Sequence, residues 1–246
     1  MQLENKIAIV TGAGRNIGAG IAQRFADEGA HVAIVDILEE RTASVTDAFN
    51  AAHPGAALAV RCDVTDGDSV RGMVGRVVSE WGHIDILVNN VGVVDRTDIL
   101  NTTESEWHRV IAVSLTSVFM VTKYVATAMV AHGQGGRIIN ISSTSGHQGR
   151  PHATAYPAAK AGALHLARSL AIQLAPYNIR VNSVTPNRVA TEAEPGAPTR
   201  ATSVENLIHR QITPADVAGA CVYLAGPDAD ALTGADIFVD GGVLAG

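Results

Sequence analysis

The front of the chain constrains the fold most. An apolar run, a glycine-bearing turn and the start of a helix follow one another without a break. Lys6-Ile7-Ala8-Ile9-Val10 is nearly continuous in apolar character, the pattern of a strand buried on both faces. Thr11-Gly12-Ala13-Gly14-Arg15-Asn16-Ile17-Gly18 follows, and Ile17, Ile21 and Phe25 then recur every four residues as the inward stripe of a helix. A strand covered on both faces calls for helices on both sides of its sheet. The same arrangement can cradle a phosphate, because glycines let backbone approach a pyrophosphate and a helix N-terminus offers amide donors. The glycine spacing departs from G-x-G-x-x-G, so the residues alone leave open both a cofactor turn and an ordinary tight turn.

The remaining chain repeats the alternation. Strands are predicted at 31–35, 57–62, 84–89, 137–141, 179–185 and 235–239, and helices at 37–50, 66–81, 107–131, 153–175 and 216–224. Thr213-Pro214-Ala215-Asp216 resembles a capping box with proline at the first helical position. Right-handed crossovers then give a Rossmann-type doubly wound parallel sheet of about seven strands with helices on both faces. An α/β chain of 246 residues is commonly one domain, so 1–246 is read as a single dinucleotide-binding and catalytic unit. The segment 191–206, rich in Pro, Gly, Thr and Glu, breaks the rhythm after a strand's carboxyl end. It is either a substrate lid or a plain surface excursion.

Composition excludes several classes. With 17% charged residues, a net charge of −6 and no basic tract, the chain has nothing to track a nucleic-acid backbone. The apolar stretch 110–130 is interrupted by Lys123 and hydroxyl residues, which argues against a membrane span. The first strand begins within six residues, leaving no room for a signal peptide. Cys62 and Cys221 have no metal-like spacing and read as reduced thiols of a cytoplasmic protein; no metal is expected.

Two further features carry chemistry. The strand His31-Val32-Ala33-Ile34-Val35 ends at Asp36, where a carboxylate can bind both hydroxyls of an adenosine ribose and repel a 2′-phosphate; read locally, Asp36 is a cap for the helix that follows. Tyr156 and Lys160 stand four apart, on one face of a helix. A lysine ammonium beside a phenol favours the phenolate, so the Tyr156 pKa is expected to fall toward working pH. A Ser-Ser pair lies thirteen to fourteen residues upstream. Gln148, Arg150 and His152, between that pair and the tyrosine, face either the pocket or solvent, as does His147.

Together these motifs resemble the short-chain dehydrogenase/reductase family over nearly the whole chain. Thr11-Gly12 to Gly18 is similar to its cofactor turn, Asn89-Asn90-Val91-Gly92 to its Asn-Asn-Ala-Gly motif, and Ser143, Tyr156 and Lys160 to its catalytic serine, tyrosine and lysine. Pro186 to Thr191 resembles its nicotinamide-side segment, and Leu232-Thr233-Gly234 with Asp240-Gly241-Gly242 its C-terminal signature. The resemblance implies a proton exchanged by Tyr156, a charge-stabilising hydrogen bond from Ser143, and a Lys160 that lowers the tyrosine's pKa and binds the nicotinamide ribose. It implies cofactor contacts from Gly12, Arg15, Asn16, Ile17, Gly18, Asp36, Ile37, Asp63, Val64, Asn90, Val91, Gly92, Pro186, Asn187, Val189 and Thr191.

Three departures stand out. Asn16 and Asn187 replace glycines, which the left-handed tolerance of asparagine would explain. Ser114 stands where the family's fourth catalytic residue, an asparagine that orders a water relay, would be. Arg15 points toward a 2′-phosphate and Asp36 against it, so NAD is favoured over NADP. The expected activity is interconversion of a secondary alcohol and a ketone. The alternatives are a 3-oxoacyl-thioester reductase, which a basic patch at the site mouth would favour, and a non-catalytic dinucleotide sensor or scaffold. The family's helices pair across two-fold axes, implying a homo-oligomer, most simply a tetramer.

Overall fold

The structure, a computed structural model, describes residues 1–190 and 206–245. In chain order the elements are β1 (Ile7–Thr11), α1 (Asn16–Asp27), β2 (His31–Asp36), α2 (Glu39–Ala52), β3 (Ala57–Arg61), α3 (Gly67–Trp81) and β4 (Ile86–Asn89). Then come α4 (Glu104–Ile111), α5 (Ser117–His132), β5 (Gly136–Ile141), α6 (Ala155–Leu174), β6 (Ile179–Pro186), α7 (Pro214–Ala225) and β7 (Asp236–Val239). Thr191 and all but the last residue of the segment 191–206 lie outside the described residues.

All seven strands pair in parallel, in the order β3-β2-β1-β4-β5-β6-β7. The order reverses between β1 and β4, where Val10 of β1 faces Ile34 on one neighbour and Val88 on the other. Chains wound this way leave a crevice at the carboxyl ends of the strands beside the reversal. Alternate residues of β1 enter different layers of the core. Ala8 and Val10 join Ile21, Phe25 and Val222 under α1 and α7, while Ile7 and Ile9 join Met73, Val125 and Met129 under α3 and α5. Phe25 is fully buried, and truncating it to alanine would cost about 3–5 kcal/mol.

The expected helix 107–131 is two helices. α4 and α5 are joined by a π-helical turn, Ala112–Thr116. The whole run Glu104–His132 is long and apolar enough to cross a membrane by length and composition. In this fold α5 packs on α3, β4 and β5, with Val118, Val121, Val125 and Met129 buried. The predicted capping box is present: Thr213 Oγ1 accepts from Asp216 N while the Asp216 carboxylate accepts from Thr213 N. Cys62 and Cys221 are buried and unpaired, and burial pushes both thiols up.

Candidate active site

The turn after β1 is shaped for close approach. Gly12 has φ +63°, a backbone region that suits glycine, and a Cβ on Gly18 would fall 2.1 Å from the Gly12 carbonyl oxygen. Asn16 adopts φ +51°, the left-handed conformation expected of it. Asn90 holds the turn from the next strand end: its Nδ2 donates to the carbonyls of Thr11 (3.0 Å) and Gly12 (3.1 Å). Asp36, at the tip of β2, accepts from Gly14 N and Leu38 N, each at 3.2 Å. The carboxylate is thereby fixed at the edge of a cavity of about 230 Å³ lined by Gly12, Asp36, Ile37, Asp63, Val64 and Val91, among others. This largely apolar slot, with a carboxylate at its edge and a glycine turn beside it, fits the adenosine half of a dinucleotide. Arg15 is the exposed N-cap of α1, in extended conformation, and Ile17 lies in the first turn of that helix.

Ser143, Tyr156 and Lys160 converge from two elements. Ser143 follows β5; the half-buried Tyr156 and the buried Lys160 lie on the first two turns of α6. Ser143 Oγ accepts from Ser145 N at 3.2 Å, and the side chain lies near enough to the Tyr156 phenol to favour its ionised form. Lys160 Nζ donates to the Ile141 carbonyl at 2.7 Å and lies 5.7 Å from the centre of the tyrosine ring. Burial lowers the Lys160 pKa to about 8.

The expected fall in the Tyr156 pKa is corrected here. Burial raises it, and the opposing pulls of Ser143 and the Arg150 charge do not cancel that rise. Lys160 spends a hydrogen bond on a backbone carbonyl instead of on the phenol.

A model of the family described as enoyl-(acyl carrier protein) reductase matches residues 12–244. Galactitol 2-dehydrogenase of Agrobacterium fabrum is 38% identical, across 98% of this chain and 98% of that protein. Trans-4-hydroxycyclohexanecarboxylate dehydrogenase of Sinomonas cyclohexanicum is 37% identical, across 100% of this chain and 95% of that protein. A solved short-chain type dehydrogenase/reductase from Mycobacterium marinum superposes with a TM-score of 0.92 at 38% identity, covering 98% of this chain and 96% of that one. The chain belongs to the short-chain dehydrogenase/reductase family. It is accordingly an oxidoreductase acting on CH–OH groups with a nicotinamide dinucleotide.

Two departures from the family pattern resolve differently from the sequence expectation. Asn187 is absent from the positive-φ residues, so left-handed backbone does not explain it. Its side chain works instead: Oδ1 accepts from Thr144 Oγ1 at 3.1 Å. Ser114 is fully buried in the π turn and its hydroxyl is committed to one residue. It accepts from Val93 N at 3.0 Å and donates to Val93 O at 3.2 Å. That fastens the loop after β4 to the helix. Gly92 stands in that loop, where an added Cβ would come 3.3 Å from Lys160 Nζ. Pro186 ends β6 and Val189 bridges Ile212, carrying the chain over the crevice.

Sequence reasoning missed Asp95. This buried carboxylate accepts from Thr154 N (2.6 Å), Ala155 N (2.8 Å) and Tyr156 N (3.0 Å), anchoring the start of the helix that carries the tyrosine. Burial would raise its pKa, but the backbone bonds from Ala155, Tyr156 and Thr154 outweigh burial and hold the group below the ordinary carboxylate range. No local spacing marks Asp95, because its partners are about sixty residues away.

Proposed function

We propose that this protein is an NAD(H)-dependent oxidoreductase of the cytoplasm that interconverts a secondary alcohol and a ketone. One observation supports this reading above the others: Ser143, beside the Tyr156 phenol, lines a cavity of about 500 Å³, separate from the adenosine slot. When bound, the nicotinamide dinucleotide supplies the hydride acceptor or donor. Asp36 would take the ribose hydroxyls and oppose a 2′-phosphate, and Asp63 beside it adds to that repulsion. Tyr156, with its pKa raised by burial, is a protonated phenol at neutral pH. It is ready to give a proton to a ketone oxygen and, in the reverse direction, to take one from an alcohol. Ser143 would donate to the same oxygen as negative charge builds on it. Lys160, charged below pH 8, would keep positive potential under the ring and reach the cofactor ribose.

The test is oxidation of galactitol, sorbitol and trans-4-hydroxycyclohexanecarboxylate with NAD and NADP, and reduction of an acetoacetyl thioester with NADH and NADPH. Activity with NAD is expected, and Asp36→Ala should relax the preference over NADP. Faster turnover with NADPH in the unmodified protein would overturn the cofactor assignment. A carrier-linked thioester as best substrate would favour the acyl-reductase alternative, and cofactor binding without any turnover the sensor.

A further inference from the structure

The cavity at Ser143 carries more positive charge than hydride transfer to a ketone requires. Its charged lining is Arg96, Arg150, Arg188 and Asp95, with His152 beside them. The Asp95 carboxylate is already committed to three backbone N–H groups of α6. Three guanidinium groups, all on exposed residues, therefore outnumber the single carboxylate of the lining.

Arg150 differs from the other two in how it is held. Its Nε donates to Ser145 Oγ at 3.0 Å and its Nη2 to Thr144 Oγ1 at 2.8 Å; Thr144 in turn leans on Asn187. Its backbone is bridged to Ala153, just before α6. Arg24, Arg71, Arg137, Arg180 and Arg210 each hydrogen-bond a carboxylate. Among the described residues, the bonds of the Arg150 side chain go to neutral hydroxyls alone. Hydroxyls orient a guanidinium without cancelling its charge. They also occupy the Nε–Nη2 edge, leaving the Nη1–Nη2 edge with two parallel donors, the fork that matches a carboxylate. Arg150 is an exposed residue, yet the two hydroxyls order it in advance, whereas an arginine held only by solvent would spend side-chain entropy on binding.

We propose that Arg150 is the carboxylate-binding residue of this site, and that the substrate is a hydroxy acid or oxo acid whose reacting carbon meets Ser143 and Tyr156 while its carboxylate meets Arg150. Arg96 and Arg188 add attraction at the mouth. The proposal rests on the oxidoreductase reading above and deepens it. A basic mouth would also suit an acidic carrier protein, but Arg150 and Ser143 line one small cavity, which places the charge within a small molecule's length of the chemistry.

The test pairs each oxo acid with its methyl ester: levulinate with methyl levulinate, and 4-oxocyclohexanecarboxylate with methyl 4-oxocyclohexanecarboxylate. kcat/KM is measured with NADH for the unmodified protein, Arg150→Gln and Arg150→Lys, with NADH affinity as the check on folding. The acid should be preferred over its ester by roughly tenfold to a hundredfold in the unmodified protein, the worth of a charge-assisted pair. Arg150→Gln should erase that preference, chiefly through KM, and Arg150→Lys should recover part of it. Equal use of acid and ester by the unmodified protein, or an equal loss on both in Arg150→Gln, overturns the proposal and leaves the reaction class standing. So does a polyol or a carrier-linked thioester as the best substrate. If no ketone is turned over, the reaction class itself fails. Carboxylate binding is then read by titrating levulinate into the NADH complex and following NADH fluorescence. Weaker binding to Arg150→Gln supports the carboxylate site, and equal affinity overturns it.

Discussion

Lys160 is a charge that the fold has to bury. Its side chain is 4% exposed, it makes one hydrogen bond to a carbonyl, and its pKa falls to about 8 from 10.5. Below pH 8 both folded and unfolded chains carry the proton, and the full cost of burying the charge applies. Between 8 and 10.5 the folded lysine has lost its proton while the unfolded one keeps it, so the cost declines. Above 10.5 it is gone. The pKa difference corresponds to about 3 kcal/mol. Lys160→Met removes this titration whatever else it does to packing. The stability of the variant minus that of the parent should therefore be highest near pH 7 and fall by about that amount by pH 10.5. Urea unfolding at both pH values checks this, and a gap independent of pH would refute it. Tyr156→Phe belongs to the same scale. It deletes one hydroxyl, so NADH affinity should stay near normal while turnover drops by about 10²–10⁴-fold. Near-normal rates would mean that another group exchanges the proton. The Tyr156–Lys160 pair was legible because its spacing is local. The direction of the Tyr156 shift was not, because desolvation depends on what packs around the ring.

At the scale of elements, local chemistry was a good guide wherever partners are near in sequence. The apolar runs mark all seven strands to within one or two residues, and Thr213 to Asp216 marks a real cap. The π turn Ala112–Thr116 was invisible. It coincides with a tertiary tether, the two bonds between Ser114 Oγ and the Val93 backbone, while the apolar period runs on through it. The role of Asn187 was hidden for the same reason, since its partner Thr144 lies forty-three residues upstream. The tether can be tested. Ser114→Ala leaves the Val93 N–H and carbonyl without their partner and should cost about 1–3 kcal/mol. Because Val93 and Val91 line the adenosine slot, NADH affinity should weaken as well. Calorimetry and NADH titration of the variant read both effects; unchanged stability with lost turnover would instead point to a direct catalytic role for Ser114.

For the whole molecule, alternating strands and helices foretold parallel pairing and two helical layers, and the place where strand order reverses follows from how the crossovers wind. What this packing leaves uncovered bears on assembly. Phe119 on α5 is 50% exposed and Ile172 on α6 is 78% exposed. Val130 on α5 and the small Ala158 and Ala161 on α6 also face outward, on two helices that touch each other. At the sheet edge, Phe238 of β7 is half exposed. Apolar side chains grouped on neighbouring helices, with small residues that admit close approach, are what a self-complementary two-fold interface uses. α5 and α6 are therefore predicted to pair with their counterparts in a second copy, and a second contact through β7 would complete a tetramer. Sedimentation velocity at micromolar protein should show the oligomer, and Phe119→Glu combined with Ile172→Glu should shift it toward smaller species by placing like charges across the axis. Both positions lie on the surface, so the substitutions should leave the core intact, and NADH binding by the dissociated protein would verify that. A stable monomer in the unmodified protein would refute the prediction, and an oligomer indifferent to both glutamates would move the interface to another face.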